Sequence, residues 1–312
     1  MYLVCGEALF DFFSETEADG PASQVNYKAI AGGSPFNVAV GLRRLGIESA
    51  LFTGLSTDYL GRRLQQVLLN EGVSPRYLLD FDAPTTLAMV AVGANGSPHY
   101  SFRGEGCADR QLSLAHLPEL GPEVRGLHIG SFSLVVQPVA DTLLALVQRE
   151  SGRRLISLDP NVRLNPQPDI ELWRSRIATL VQYADLIKVS DEDLGLLYPG
   201  IEPQAVIEGW LKHRCQVVFL TRGGQGATVF SRQHGTWSQP ACPVNIADTV
   251  GAGDTFQAAL IAWLTEQQLD SIEGLQTLTR EQVNAMLEFA IRAAALTCGK
   301  TGPDLPYRQQ LA

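Results

Sequence analysis

Arg154-Leu155-Ile156-Ser157-Leu158 runs into Asp159-Pro160-Asn161, an apolar strand that stops on polar, turn-forming residues. Residues 170–182 follow as a helix, and 186–189 as a second strand ending in Lys188-Val189-Ser190-Asp191. Strand, helix and strand in that order predict an α/β fold. The rhythm extends outward on both sides. Upstream, residues 126–130 read as a strand and 138–149 as a helix. Downstream, 216–220 form a strand ending in Thr221-Arg222-Gly223-Gly224, and helices over 253–264 and 280–296 close the chain. Polar or glycine-rich groups therefore recur at strand C-termini, the edge where open α/β sheets bind ligands.

Near the N-terminus, residues 2–8 are apolar enough for a buried strand. Gly32-Gly33 then breaks the chain, with Ser34 expected as the N-cap and Pro35 at the first helical position. Apolar residues carry that helix to Gly46. A strand over 49–54 and a helix opened by Thr57-Asp58 come next. The region 85–102 departs from the pattern. Two β runs, 85–92 and 99–102, flank Gly93-Ala94-Asn95-Gly96, whose Asn-Gly is a hairpin signal. An antiparallel hairpin inside an alternating βα chain predicts a small appended sheet, such as a lid.

The 312 residues are 45% hydrophobic and 18% charged, which fits a globular enzyme and excludes a disordered chain. A formal net charge of −9 argues against nucleic acid or an anionic membrane as a main partner. No segment approaches the ~20 apolar residues that span a bilayer. The first residues lack the basic start of a signal peptide, so a cytoplasmic location is expected. Cys5, Cys107, Cys215, Cys242 and Cys298 are odd in number and widely spaced, and read as small apolar residues.

The sharpest chemical signal is Asp248-Thr249-Val250-Gly251-Ala252-Gly253-Asp254-Thr255-Phe256. Three small residues before a helix let N–H groups point outward, and a helix N-terminus favours negative charge. Such a turn suits the charge on a phosphoryl group in transfer. Asp254 at its end is placed to accept a proton from a substrate hydroxyl. Taken alone, it reads equally well as a helix-start acid. No Gly-Lys-Ser/Thr follows the glycines, so this is not a Walker A loop, and no dinucleotide fingerprint follows the first strand. Thr221-Arg222-Gly223-Gly224-Gln225-Gly226 alone reads as a hairpin turn. Asn37, just after the Gly32-Gly33 break, suits a sugar hydroxyl or a local turn. Asp11, among Leu9, Phe10, Phe12 and Phe13, needs a partner, either a sugar diol or a buried ion pair. The five histidines have no metal-ligand spacing and read as surface or satisfied core residues.

Two segments together carry a resemblance. Ala31-Gly32-Gly33-Ser34-Pro35-Phe36-Asn37-Val38-Ala39 and Asp248-Thr249-Val250-Gly251-Ala252-Gly253-Asp254 resemble the N- and C-terminal motifs of the ribokinase-like PfkB carbohydrate kinases. Cys5-Gly6-Glu7-Ala8-Leu9-Phe10-Asp11, Asp159-Pro160-Asn161-Val162-Arg163, Lys188-Val189-Ser190-Asp191-Glu192-Asp193-Leu194, Tyr100-Ser101-Phe102-Arg103 and Ala108-Asp109-Arg110 are most similar to the bacterial fructokinases of that family. The resemblance implies one α/β/α domain over residues 1–312, with a mostly parallel central sheet and lid strands within 12–29 and 85–103. It implies Asp254 as general base and Gly251, Ala252 and Gly253 as an anion hole. It implies sugar contacts at Asp11, Gly33, Asn37, Arg103 and Arg163, and ATP along Lys188, Asp191, Thr221, Gly223 and Gly226. Mg²⁺ would bridge phosphates, with K⁺ near Asp248 and Thr249, and a homodimer would form through the lid. Two departures stand out. Ser190-Asp191-Glu192-Asp193 replaces a metal-organising Asn-x-x-Glu, and Ile291 replaces an Asn near the nucleotide. Fructose is the first acceptor this implies. A kinase for 2-keto-3-deoxygluconate or another small sugar follows it, and a non-catalytic sugar-binding protein is the reading from another class.

Overall fold

The computed structural model describes residues 1–15, 23–92 and 98–311. The chain opens with β1 (Tyr2–Cys5), β2 (Leu9–Ser14) and β3 (Tyr27–Gly32). Next come α1 (Ser34–Arg44), β4 (Ser49–Ser56), α2 (Tyr59–Asn70), β5 (Leu78–Phe81), β6 (Leu87–Val92) and β7 (Pro98–Arg103). Then β and α alternate: β8 (Gly126–Gly130), α3 (Val139–Glu150), β9 (Leu155–Asp159), α4 (Ile170–Leu180) and β10 (Leu186–Ser190). After α5 (Asp191–Leu197) and α6 (Pro203–Trp210), the strands β11 (Val217–Thr221), β12 (Ala227–Ser231) and β13 (Gly235–Gln239) complete the sheet. The last helices are α7 (Ala252–Glu266), α8 (Ile272–Gln276) and α9 (Arg280–Cys298).

Nine strands form the central sheet in the order β13-β12-β11-β10-β9-β8-β1-β4-β5. It is parallel except where β12 and β13 turn back. From β1 the order steps one way to β4 and β5, and from β8 the other way to β11. The crevice beyond the C-terminal ends of β1 and β8 is therefore a topological switch point. Both faces of the sheet are covered, and β1 shows why its residues are continuously apolar. Tyr2 and Val4 join one core cluster with α1, α7 and α9, while Leu3 and Cys5 join the other with α3 to α6.

A separate four-stranded sheet runs β3-β2-β6-β7. The expected strands over 85–92 and 99–102 are β6 and β7, paired antiparallel. The proposed turn at Gly93-Ala94-Asn95-Gly96 lies outside the described residues. The expected strand over 2–8 divides, because the chain leaves the central sheet after Cys5 and enters the small sheet at Leu9. Sequence reading missed β5, β13, α5, α6 and α8. In α5 the leading acids Asp191, Glu192 and Asp193 looked like ligands, although acids also favour a helix start.

α1 and α7 lie side by side, and Gly41 permits it. A Cβ there would sit 3.0 Å from Ala258 Cβ and 2.5 Å from Leu305 Cδ2. Gly41→Val should therefore lower unfolding free energy by about 1–3 kcal/mol through overpacking. Gly195→Ala, in open space within α5, should leave stability unchanged or raise it. Urea titration of both variants tests the pair, and equal effects would refute the packing account.

Candidate active site

The start of α7 is shaped by glycine. Gly251 takes φ +79 as the N-cap, a left-handed conformation that disfavours other residues. The N–H of Ala252 closes the turn onto the Thr249 carbonyl at 3.2 Å. That donor is therefore spent within the loop, while among the described residues the amides of Gly251, Gly253 and Asp254 have no partner. Gly253 also clears space for a cation, since a Cβ there would lie 2.9 Å from Lys188 Nζ. Lys188 and Asp159 are buried and paired at 2.9 Å. Burial would lower the Lys188 pKa, but the carboxylates of Asp159, Asp193 and Asp254 hold it above the usual lysine value. A fixed positive charge thus sits against the helix start.

The start of α1 completes the arrangement. Gly33, not Ser34, is the N-cap, with φ +101. The Ser34 hydroxyl is used elsewhere. It donates to Asp254 Oδ1 at 2.6 Å, while Asn37 Nδ2 donates to Asp254 Oδ2 at 2.8 Å. Asp254 is therefore neither a cap of its own helix nor a free surface acid. The local-turn reading of Asn37 also fails, because its amide crosses to another helix. None of the described residues donates to its carbonyl oxygen, which could accept from a ligand hydroxyl.

Asp11 shares this space. Burial, and then the nearby Asp254 carboxylate, push its pKa up to about 6, while the Arg163 guanidinium works against that rise. Gly32 makes room for it, since a Cβ there would lie 2.4 Å from Asp11 Oδ2. Asp11 is in register with Ala88 on β6, and Ala88 with Phe102 on β7, so all three lie on one face of the small sheet. Arg103 is in register with Leu87 and Phe10, on the opposite face, and the structure does not bring it beside Asp11.

The remaining expected residues lie along the C-terminal sheet edge. Thr221 is in register with Ser190, and Gly223 opens the turn from β11 into β12. Gly226 serves that hairpin, since a Cβ there would lie 2.1 Å from the Gln239 carbonyl oxygen. Asp191 is exposed at the first position of α5. Asp193, in the segment that stands in place of the metal-organising motif, is buried and accepts the Val162 N–H at 2.8 Å. Asp248 ties the α7 loop to a distant segment, accepting the N–H groups of Val250 at 3.1 Å and Gly302 at 2.9 Å. Ile291 is buried in the core. His128 corrects the expectation for histidines. It is fully buried, Nε2 has no partner among the described residues, and burial, then Lys188, hold its pKa down at about 3.

Residues 1–310 match the family described as pfkB family carbohydrate kinase. A fructokinase from Rhizobium leguminosarum bv. trifolii is 36% identical over 309 residues, covering 99% of this chain and 88% of that relative. A crystal structure of fructokinase with bound ATP from Xylella fastidiosa superposes with a TM-score of 0.88 at 25% identity, covering 99% of this chain and 96% of the other. A double-mutant fructokinase from Vibrio cholerae O395, in fructose-, ADP- and potassium-bound form, gives a TM-score of 0.82 at 26% identity, covering 100% and 97%.

Glu7 falls within the apolar stretch 2–8 whose pattern predicts only a strand, and it lies between β1 and β2. It is buried and accepts the Ser133 hydroxyl at 2.5 Å. Burial pushes its pKa up to about 7, although hydrogen bonds from Ser131 and Ser133 pull it down. The folded protein thus holds this proton to about pH 7, while the unfolded chain releases it near the ordinary value of 4.5. Stability falls as pH rises between those values. Compared with Glu7→Gln, the wild type should lose about 3 kcal/mol of relative stability from pH 4.5 to 7. Denaturant titrations across that range test it, and a pH-independent difference would refute a buried, proton-holding Glu7.

Proposed function

The chain belongs to the pfkB family of carbohydrate kinases and is a sugar phosphotransferase, and on that premise we propose that it transfers the γ-phosphoryl group of ATP to fructose with Asp254 as general base. The observation that carries this reading is the Asp254 carboxylate, held from one side by Ser34 and Asn37 of α1 and seated over Lys188 at the start of α7. The sugar would lie beneath the small sheet, with Asp11, Asn37 and Arg163 around it and the Gly33 backbone alongside. Asp254 accepts the proton of the attacking hydroxyl. Phosphoryl transfer has a loose transition state, so a weak, well-aimed base suffices. The amides of Gly251, Gly253 and Asp254, with Lys188 against Gly253, would hold the charge on the transferred group. The nucleotide would extend past Asp191, Thr221 and the Gly223–Gly226 turn.

A divalent cation arriving with phosphates needs one or two carboxylates. Among the described residues no three His, Cys, Asp or Glu side chains form a metal cage. Asp159 keeps one buried oxygen without a partner among the described residues, and Asp193 lies in the same field around Lys188. These two would hold Mg²⁺, which when bound neutralises phosphate charge. Asp248 spends one N–H contact per oxygen, so lone pairs remain for K⁺, with Thr249 beside it. The exposed outer strand β3 suits a homodimer formed through the small sheet. The five free cysteines fit the reducing cytoplasm.

ADP release with ATP, Mg²⁺ and K⁺ across fructose, 2-keto-3-deoxygluconate, ribose and adenosine tests the acceptor. Fructose should give the highest kcat/KM, and binding without turnover would overturn the kinase assignment. Asp254→Asn should lose ~10²-fold or more in kcat with little change in sugar affinity. Near-normal kcat would remove Asp254 from its role. If the small sheet is a lid, sugar should slow amide exchange in β2, β6 and β7, and unchanged exchange would refute that.

A further inference from the structure

Arg110 has no part in the site described so far, yet it is built into the same crevice. Its guanidinium carbon lies 5.1 Å from the Phe102 ring centroid and 5.3 Å from that of Phe132. The two rings meet edge to face at 5.2 Å. Phe102 shares its sheet face with Asp11, two strands away or roughly 10 Å. Phe132 follows β8 at the switch point, one residue before the Ser133 that bonds Glu7. Gly104 makes the fit, because a Cβ there would lie 2.4 Å from both Arg110 Nη2 and Phe102 Cε1.

The rings satisfy the charge but not the donors. Nε and Nη2 are buried with no hydrogen-bond partner among the described residues. No carboxylate among them forms an ion pair with Arg110; the adjacent Asp109 accepts the Thr86 hydroxyl at 2.5 Å instead. A guanidinium fixed between two rings, with two adjacent N–H groups unfilled, has the fork geometry that paired oxygens accept. Both nitrogens are closed to solvent as the protein stands, so a ligand oxygen reaches them only with a shift of the surrounding rings, and the cost of leaving a buried donor empty favours that shift.

We infer that Arg110 is a specificity-determining residue, donating to oxygens of the bound sugar at the β7 side of the pocket, across from Asp11. This rests on fructose as acceptor. The test is a series of fructose analogues, each lacking one hydroxyl, titrated by calorimetry into wild type, Arg110→Met and Gly104→Ala. In wild type, one analogue should bind at least ten-fold more weakly than fructose. In Arg110→Met, fructose itself should bind about ten-fold more weakly, and that analogue within two-fold of it. Gly104→Ala keeps the arginine but displaces the fork, and should show the same selective change with ATP affinity intact in both variants. Equal losses for every analogue in all three proteins, or unchanged fructose affinity in Arg110→Met, would overturn the inference while the function stands. Failure of wild type to bind fructose would overturn the proposed function and this inference with it.

Discussion

The Asp254 carboxylate is the joint on which the rest of the molecule turns. Its two oxygens accept from Ser34 and Asn37, residues 220 and 217 positions away in the chain. Those bonds need α1 and α7 to begin at the same height above the same sheet edge. That height follows from the parallel strands, which deliver successive helix starts to one side. The close side-by-side fit follows from Gly41, where a side chain would drive the helices apart.

Beneath the joint the protein places charge inside its core. Lys188 and Asp159 are buried, with Asp193 nearby and the Gly253 backbone against the ammonium. A buried ion pair is a poor source of stability in itself, because desolvation offsets much of the attraction. It makes sense as a preorganised field aimed at a helix N-terminus. The neighbouring His128, Ser157 and Gln257 extend the polar layer from β8 through β9 to α7, linked by hydrogen bonds of 3.3 and 2.8 Å. Lys188 helps keep His128 neutral, so the layer adds no second cation.

Above the joint, the small sheet supplies what the large one lacks. Parallel strands buried on both faces end on loops and helix starts, which offer amides but little enclosing surface. The face carrying Asp11, Ala88 and Phe102 packs Ala88 and Phe102 onto the core cluster that includes Phe132. A crevice under a second sheet can exclude water from a reacting hydroxyl, which an open edge cannot.

The order of elements, the hairpin inserted into it and the paired glycine-rich segments were legible from local pattern, because periodicity and backbone freedom are properties of a few neighbouring residues. So was the family, carried by the Gly32-Gly33-Ser34-Pro35-Phe36-Asn37 and Gly251-Ala252-Gly253-Asp254 motifs together. Which hydrogen bonds those residues make was not. Ser34 had the sequence of a cap, and Asn37 and Asp254 each had a local partner in prospect. Only folding brought them within reach of one another and made the distant partner the better one. Glu7 and Arg110 stayed hidden for the same reason. Each is an ordinary polar residue in its own segment, and its chemistry comes from burial and from neighbours supplied by other elements. Sequence alone determined what each segment could become, and tertiary structure decided which polar groups lost water and had to find each other.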